Sequence, residues 1–414
     1  MSAVAKFRTT LDLTGAPVLA WSFLGRLPAA MCPIGTLLMV SQQTGSVWRG
    51  SAVAGALALG QASGGPLLGR VADRRGQRRV GLAAAAVNTL ALLALVATSL
   101  RGAALDWQLL LALLAGLSVP LVGPLSRSRW LHLAGGDGER VSAALWLDGL
   151  IDEIGFTSGP ALVGLLAALV APAAGLLLAA ALVGGCATLF ALHPTAAPGS
   201  GTARTGTART NAPRTNPPRR LLSVPYGLLL AGMALLGVSF GSIQVGVTAT
   251  TGHLGHAGAA GLVYGLMGGV SACSGVAMAA LPARFELPTR LRAGTVLLLG
   301  ASLLLPLLGH SLGGLTVAVG CVGLAVAPQM ITMFGLVERT VPSARLGEAM
   351  AGLVSSITLA QSAGTVVAGW VATAGGPGAP FLVTCGAAGA ALLLAATTAS
   401  EQRYRRPEAV LSAA

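Results

Sequence analysis

The chain has 414 residues, of which 54% are hydrophobic and only 9% are charged, whereas a soluble globular protein carries about 25% charged residues. Together with a mean hydropathy of +0.77, this excludes a water-soluble monomeric domain and predicts a polytopic membrane protein. The net charge of +13 does not indicate a nucleic-acid partner, because the arginines lie in short clusters between apolar segments, as in membrane loops.

Apolar runs follow one another along the chain, each long enough for the roughly 20 residues that a helix needs to cross a bilayer. Six precede a long polar stretch and six follow it, at residues 16–40, 50–69, 80–100, 105–125, 141–170, 173–193, 226–248, 259–281, 294–310, 313–336, 346–372 and 379–398. Open strands cannot satisfy their backbone groups in lipid. We therefore predict an all-α membrane protein with 12 transmembrane helices.

The positions of the basic residues predict the orientation of these helices. With the N-terminus inside, 23 of the 26 Lys and Arg residues fall in cytoplasmic segments, which is the distribution that the positive-inside rule requires. In this count Arg127 and Arg129 lie in the loop after the fourth run, and Arg26 lies within the first run. We expect a multi-pass protein of the cell membrane with both termini in the cytoplasm.

A basic, polar segment at residues 194–225 divides the chain into two halves, 1–193 and 226–414. It repeats Gly-Thr-Ala-Arg-Thr and then carries three prolines, so it has no apolar face to bury and is predicted to be a flexible cytoplasmic linker. A shift of 205 residues places Arg140 on Arg345 and Gly159 on Gly364. This match predicts a parallel repeat of six-helix halves with a substrate site between them.

The loop after the second run holds five arginines and one aspartate within residues 69–79. Its spacing resembles the signature loop of the major facilitator superfamily, Gly-x-x-x-Asp-Arg-x-Gly followed by two basic residues, although Gln77 replaces the first of these. The resemblance implies a twelve-helix transporter of two six-helix halves, in which the aspartate helps to latch the halves in the outward-facing state. The latch residues that it implies are Gly69, Asp73, Arg74, Gly76, Arg78 and Arg79.

The fifth run resembles, in part, a motif of drug–proton antiporters. The matching residues are Gly155, Gly159, Pro160 and Gly164, whereas Trp146 stands where that family has a glycine. Small residues four apart allow close helix contact, and a proline inside a helix frees a carbonyl and bends the axis. The resemblance implies an exporter rather than an importer.

The fifth run also carries three acidic residues, Asp148, Asp152 and Glu153. Asp152 is about 16 Å from the cytoplasmic end at roughly 1.5 Å per residue, and Asp148 lies one turn before it on the same face. Ionised carboxylates at this depth need partners or protons. Arg26, at a similar depth, is predicted to pair with one carboxylate and to leave another able to load and release a proton, although a purely structural charge cluster is an alternative.

The other polar residues within the apolar runs give less specific predictions about function. Four amides are candidates for lining a cavity or joining helices, namely Gln61, Gln244, Gln329 and Gln361. Five scattered cysteines show no metal-ligand spacing, so no metal site is expected.

The function that these observations favour is a proton-coupled exporter of a small amphipathic compound, working by alternating access. The proton gradient is the energy source, and no cofactor is expected. The expected partners are the lipid bilayer and a small-molecule substrate, and the chain is expected to be a monomer. A membrane-embedded enzyme is disfavoured, because no clustered nucleophile or metal triad is found. An importer of a small metabolite and a non-transporting membrane sensor remain alternatives.

Overall fold

The structure is a computed structural model that describes residues 11, 14–135, 137–196, 223–279, 286–341 and 346–404. Within these ranges the backbone is helical almost throughout, and it forms no strand. This is the expected outcome for apolar segments in lipid, where only an α-helix satisfies its backbone groups within one segment.

The helices before residue 197 form six rods. They are α1 (Ala16–Thr44), α2 (Val47–Arg75), α3 (Gln77–Leu100), α4 (Leu105–Leu117) followed by α5 (Val122–Leu133), α6 (Gly138–Leu169), and α7 (Ala174–Leu182) joined through a π-helical turn (Val183–Ala187) to α8 (Thr188–Leu192). From residue 223 onwards the helices are α9 (Val224–His253), α10 (Ala260–Ala279), α11 (Leu287–Leu308), α12 (Leu312–Thr340), α13 (Leu346–Gly375) and α14 (Pro380–Tyr404).

Among the described residues, ten helical segments are long and apolar enough to cross a membrane, and a shorter apolar helix spans Pro380–Ala396. The one remaining rod of the twelve described above is α2, whose last turn carries Arg74 and Arg75. These observations confirm the predicted all-α membrane fold. The chain forms two compact units, residues 1–213 with 257–265 and residues 214–256 with 266–414. The predicted linker lies mostly outside the described residues, so its boundaries stay a prediction.

The prediction of a loop over residues 70–79 is wrong, because the connection is much shorter. Helix α2 continues to Arg75 and α3 begins at Gln77, so that only Gly76 separates them. Gly76 has φ +90°, and its N–H donates to the carbonyl of Ala72 at 2.9 Å. Glycine adopts this conformation without the steric cost of a side chain, which explains how two helices meet at one residue.

The fourth rod also differs from the prediction, which was one continuous run over 105–125. The helix ends at Leu117 and begins again at Val122, because Pro120 has no N–H for a helical hydrogen bond. After this break α5 continues to Leu133. Arg127 and Arg129 therefore lie within a helix, and the candidate span Leu105–Trp130 includes both; their assignment to a loop was wrong.

Two apolar clusters of the first unit flank Arg26 of α1. One contains Leu19, Trp130, Ala144, Leu147 and Ile151. The other brings Val18 together with Val122 and with Val183 and Ala187 of the π-helical turn. Gly25 permits this second approach, since a Cβ there would lie 3.4 Å from the Cα of Ala187. The packing therefore holds α1, α5, α6 and the sixth rod around one charged side chain.

Candidate functional site

A charged cluster inside the first unit is built from three helices. Arg26 comes from α1, Arg127 from α5, and Asp148 and Asp152 from successive turns of α6. The i, i+4 spacing places both carboxylates on one face of α6. Gly123, near the start of α5, borders the cluster, because a Cβ there would be in van der Waals contact with Arg26 Nε at 3.7 Å and with Asp152 Oδ1 at 3.8 Å.

Asp148 is the buried centre of this cluster, with a side chain that is 0% exposed. Its Oδ1 accepts hydrogen bonds from Arg26 Nη2 and, at 3.1 Å, from Ser126 Oγ. Its Oδ2 accepts from Arg127 Nε at 2.8 Å and lies 2.6 Å from Arg127 Nη2. Guanidinium N–H groups from two arginines, together with the nearby Ser126 hydroxyl, surround this side chain, an arrangement that suits a carboxylate.

Asp152 and Arg127 form the exposed edge of the cluster. The Asp152 side chain is 41% exposed and that of Arg127 is 49% exposed. Asp152 Oδ1 accepts from Arg26 Nη1 at 2.7 Å, whereas its Oδ2 is 3.3 Å from Arg127 Nη2. Charged groups facing lipid are very costly, so the exposed parts of these two side chains must face water or a ligand.

The four side chains carry two positive and two negative charges when all are ionised. Because the cluster is neutral as a whole, its burial costs much less than that of any one of its charges alone. Arg26 gains a further contact, since its guanidinium carbon lies 5.7 Å from the centre of the Trp130 ring, within the range of a cation–π interaction. The charges of the cluster balance as they stand, and this balance changes if one exposed group takes up a proton.

The predicted pairing of Arg26 with the acidic group of the fifth helix is confirmed, and Arg26 contacts both aspartates. Sequence reasoning missed a second cation, because Arg127 of α5 contacts both aspartates; which carboxylate loads the proton stays a prediction. The side chain of Glu153 lies outside the described part of the chain. Pro120 was the available signal for Arg127, since a proline inside an apolar run predicts an interrupted helix that restarts beyond it.

The residues of the predicted latch lie around the junction of α2 and α3. Gly69 faces Leu121, whose Cδ1 would be 3.8 Å from a Cβ at position 69. Arg74, Arg78 and Arg79 are exposed, and Gly76 makes the turn described above. The Asp73 side chain lies outside what the structure describes, so the latch role stays a prediction.

Gln77, the residue that departs from the family motif, makes contacts that sequence reasoning missed. Its Oε1 accepts from Arg129 Nε at 2.9 Å, and its Nε2 donates to Ser128 Oγ at 3.0 Å. Arg129 is buried, donates through Nη1 to the carbonyl of Phe190 at 2.8 Å, and lies over the Phe190 ring. A basic residue at position 77 would face this guanidinium, so the amide is the side chain that fits.

His193 lies next to this contact, just beyond the candidate span Ala174–Leu192. Its Nδ1 accepts from the N–H of Thr195 at 3.4 Å. Burial lowers the pKa of His193 from its usual value of 6.5, and the positive charge of Arg129 lowers it further. Both effects favour the neutral imidazole at neutral pH.

The antiporter-like residues of α6 provide close packing. A Cβ at Gly159 would lie 2.9 Å from Ala30 Cβ on α1, and one at Gly164 would lie 2.7 Å from the Cα of Gly261. Pro160 lies inside the helix between them. Gly155 has room, because its nearest neighbour in the same test is Leu27 Cδ2 at 4.0 Å. Gly159 and Gly164 therefore explain two helix contacts, whereas the match to the antiporter branch is not tested by this packing.

The four glutamines lie on four different helices. Gln61 Nε2 donates to the carbonyl of Ala29 at 3.2 Å and so joins α2 to α1. Gln244 and Gln329 are buried in α9 and α12, and Gln361 is half-buried in α13. Among the described residues, neither amide atom of Gln329 has a hydrogen-bond partner. In the described ranges, no three His, Cys, Asp or Glu side chains are grouped as a metal site would need.

Comparison with known proteins identifies the fold and its family. Residues 21–333 match the family described as Major Facilitator Superfamily. The solved structure of the nucleoside transporter NupG is 16% identical with a TM-score of 0.70, over 94% of this chain and 99% of that one. The human organic anion transporter MFSD10 is 20% identical with a TM-score of 0.59, over 92% and 99%.

A bacterial metal transporter is similar at 17% identity and a TM-score of 0.61, over 95% of this chain and 99% of that chain. A search of curated protein sequences gave no significant match. At these identities the structural likeness shows the fold alone.

Proposed function

The chain belongs to the Major Facilitator Superfamily, and we propose that it is a proton-coupled exporter of a small amphipathic compound. The structural relatives carry nucleosides, organic anions and metals, so their cargo differs although their fold is shared. The substrate and the coupling must therefore be inferred from side chains of this chain.

The observation that carries the proposal is the unequal exposure of the two aspartates. Asp148 is 0% exposed and fully hydrogen-bonded, whereas Asp152 is 41% exposed and makes one close and one longer ion pair. A proton carrier must exchange its proton with water. We assign this role to Asp152, while Asp148 stays ionised and holds Arg26 and Arg127 in place.

Competition between the proton and the substrate for Asp152 supports export rather than import. When Asp152 takes up a proton, it no longer balances the charge of Arg127 and the cluster becomes positive by one unit. A substrate with a cationic group needs the ionised form of the same carboxylate, so substrate and proton bind alternately. Alternate binding to one site gives antiport, in which protons that enter the cell drive the compound out without a cofactor.

The proposal includes the setting of the transporter. It is a monomer in the cell membrane. Both of its termini are cytoplasmic, an orientation that the distribution of arginines between the apolar runs supports. Its partners are lipid and the transported compound. A reporter that is active only in the cytoplasm, fused to the C-terminus, checks the orientation; an external signal would contradict it.

We also propose that Asp73, with Gly69, Arg74, Gly76, Arg78 and Arg79, acts as the conformational latch implied by the family motif. The helix junction at Gly76 and the contact of Gln77 with Arg129 support the idea of a rigid corner that presents Asp73. Asp73→Asn should lower the transport rate at least tenfold without lowering the melting temperature. An unchanged transport rate in vesicles would show that Asp73 is an ordinary surface charge with no latch role.

The central test uses purified protein in vesicles with the pH indicator pyranine trapped inside. Amphipathic amines and amino acids are added outside, and substrate entry through an antiporter makes the lumen alkaline because protons leave. Asp152→Asn should abolish the pH signal and strongly weaken substrate-for-substrate exchange, because the same carboxylate binds the proton and the cationic group in turn. Asp106→Asn, an exposed aspartate in the first turn of α4, is the matched control and should behave as wild type.

The sign of the pH signal separates the alternatives. A lumen that becomes acidic as the compound enters would show symport and favour the importer. A full alkaline signal in Asp152→Asn would place the coupling site elsewhere. The absence of any signal for the whole panel would favour a membrane protein that does not couple transport to protons.

A further inference from the structure

We propose that the transported compound is a zwitterion, whose ammonium group binds Asp152 and whose carboxylate binds Arg127. The inference deepens the proposed function and rests on it, since it uses the same exposed edge of the cluster. It adds a substrate class and assigns Arg127, which the sequence places in no motif, as a substrate-binding residue.

The geometry of the cluster shows which ion pair a ligand can replace. Arg127 Nη2 and Asp152 Oδ2 are 3.3 Å apart, the longest ion pair of the cluster, and both side chains are more than 40% exposed. The pairs that involve Asp148 are shorter, and Asp148 itself is buried. A ligand that enters from the exposed edge therefore meets one cation and one anion side by side. The ion pair between these two side chains is the weakest of the four.

Charge balance distinguishes the possible ligands. The cluster is neutral with both arginines and both aspartates ionised. A monocation at Asp152 displaces Arg127 and leaves the cluster positive, and a monoanion at Arg127 leaves it negative. Uncompensated charge away from bulk water is unfavourable. A zwitterion replaces the broken pair on both sides, because its ammonium pairs with the carboxylate and its carboxylate pairs with the guanidinium.

The short distance between the two side chains also limits the ligand. Because the guanidinium and the carboxylate are in contact, the two charged groups of the ligand must be only a few bonds apart. An arginine presents a planar fork that binds carboxylates through two hydrogen bonds. The ligand that fits is an amino acid or a small derivative that keeps free amino and carboxyl groups.

Zwitterion binding preserves the competition with protons. The ammonium needs ionised Asp152, so acid displaces the ligand. Protonation of Asp152 also leaves Arg127 without that partner and the cluster positive, a state that attracts an anion rather than a zwitterion. Binding should therefore weaken on acidification, whereas a substrate acid would bind more tightly.

The test is a binding measurement by calorimetry on the purified full-length protein in detergent, where no proton gradient exists. The probes are matched sets, phenylalanine with phenethylamine and 3-phenylpropanoate, and leucine with isoamylamine and 4-methylpentanoate. We expect the amino acid of at least one set to bind at least tenfold more tightly than its amine and its acid. Its affinity should fall on acidification.

Variants at Arg127 test the assignment. Arg127→Gln should remove the advantage of the amino acid over its amine, because the partner of the carboxylate is lost. Arg127→Lys keeps the charge, protects the fold against the loss of a cation, and should keep the ranking with weaker binding. An amine or an acid that binds as tightly as the amino acid, or no binding by either amino acid, would overturn the inference.

The two proposals fail in different experiments. If the amino acid binds with the expected ranking but pyranine reports no proton movement, the zwitterion site stands and proton coupling fails. If protons move in exchange for simple amines and Arg127→Gln leaves their binding unchanged, coupling stands and the zwitterion inference fails.

Discussion

Two helix pairs occupy equivalent places in the repeat but are held together by different chemistry. In the first unit, α1 and α6 are joined by ion pairs from Arg26 to Asp148 and Asp152. In the second unit, α9 and α13 are joined by neutral hydrogen bonds, from Tyr226 Oη to the carbonyl of Ala349 at 3.0 Å and from Ser356 Oγ to the carbonyl of Leu230 at 2.8 Å.

The shift of 205 residues makes the comparison specific. Asp148 corresponds to Leu353, and both are 0% exposed. Asp152 corresponds to Ile357, which is buried, and Glu153 corresponds to Thr358. The same burial accommodates a leucine in one unit and an aspartate in the other, so the helix pair does not need the charge in order to form. The charge is therefore not required for packing at this position, as the proposed function would have it, and the arginines compensate for the cost of its burial.

The two pairs also differ in what their helices meet at one equivalent glycine. In the second unit the backbones approach closely, because a Cβ at Gly364 would lie 2.8 Å from Val238 Cα and 2.7 Å from Val238 O. In the first unit the equivalent glycine is Gly159, where a Cβ would lie 2.9 Å from Ala30 Cβ and 3.4 Å from the backbone N of Met31. The glycine of the second pair therefore meets backbone, whereas the glycine of the first pair meets a side chain first.

The largest effect should come from Arg26→Ala. Removal of this cation leaves Asp148 buried with only Arg127 to balance two carboxylates, and loss of one partner of a buried pair costs about 3–5 kcal/mol. Tyr226→Phe, the neutral counterpart in the second unit, should cost only about 1 kcal/mol. Thermal unfolding of the purified variants in one detergent measures both.

Two controls make this prediction sharper. Arg49→Ala removes an exposed arginine and should leave the melting temperature unchanged. Asp152→Asn added to Arg26→Ala restores the charge balance and should recover part of the lost stability. If Arg26→Ala is no worse than Tyr226→Phe, the ion pairs do not hold the first pair together.

A smaller effect is expected from a methyl group at the helix contact. Gly364→Ala should destabilise the protein by about 1–3 kcal/mol, because the new Cβ meets the backbone of Val238 and the helices must separate. Gly155→Ala, at a position of α6 that has room for a methyl group, is the control and should be neutral or stabilising by up to about 1 kcal/mol, since alanine favours helix more than glycine does. Equal melting temperatures for the two variants would contradict the close approach of α13 to α9 at Gly364.

Much of the fold could be predicted from the sequence, since apolar runs in lipid have few alternatives to a helix. The ends of the runs were less certain, because a helix can extend past its apolar residues where water or protein satisfies its polar side chains. The continuation of α2 to Arg75 and of α5 to Leu133 are the clearest examples. The positions of Asp148, Asp152 and Arg26 at similar depths were predictable from the number of residues between them and the helix ends.

The sequence by itself determined that this chain lies in a membrane, that the acidic group belongs to one half, and that Arg26 can reach it, because these follow from hydropathy and from the rise per residue of a helix. Only the tertiary structure decided that Arg127 completes the cluster, that Asp148 is buried while Asp152 is exposed, and that Gln77 faces Arg129. These facts depend on how helices rotate and pack against one another, and a single sequence does not encode that rotation in any local pattern.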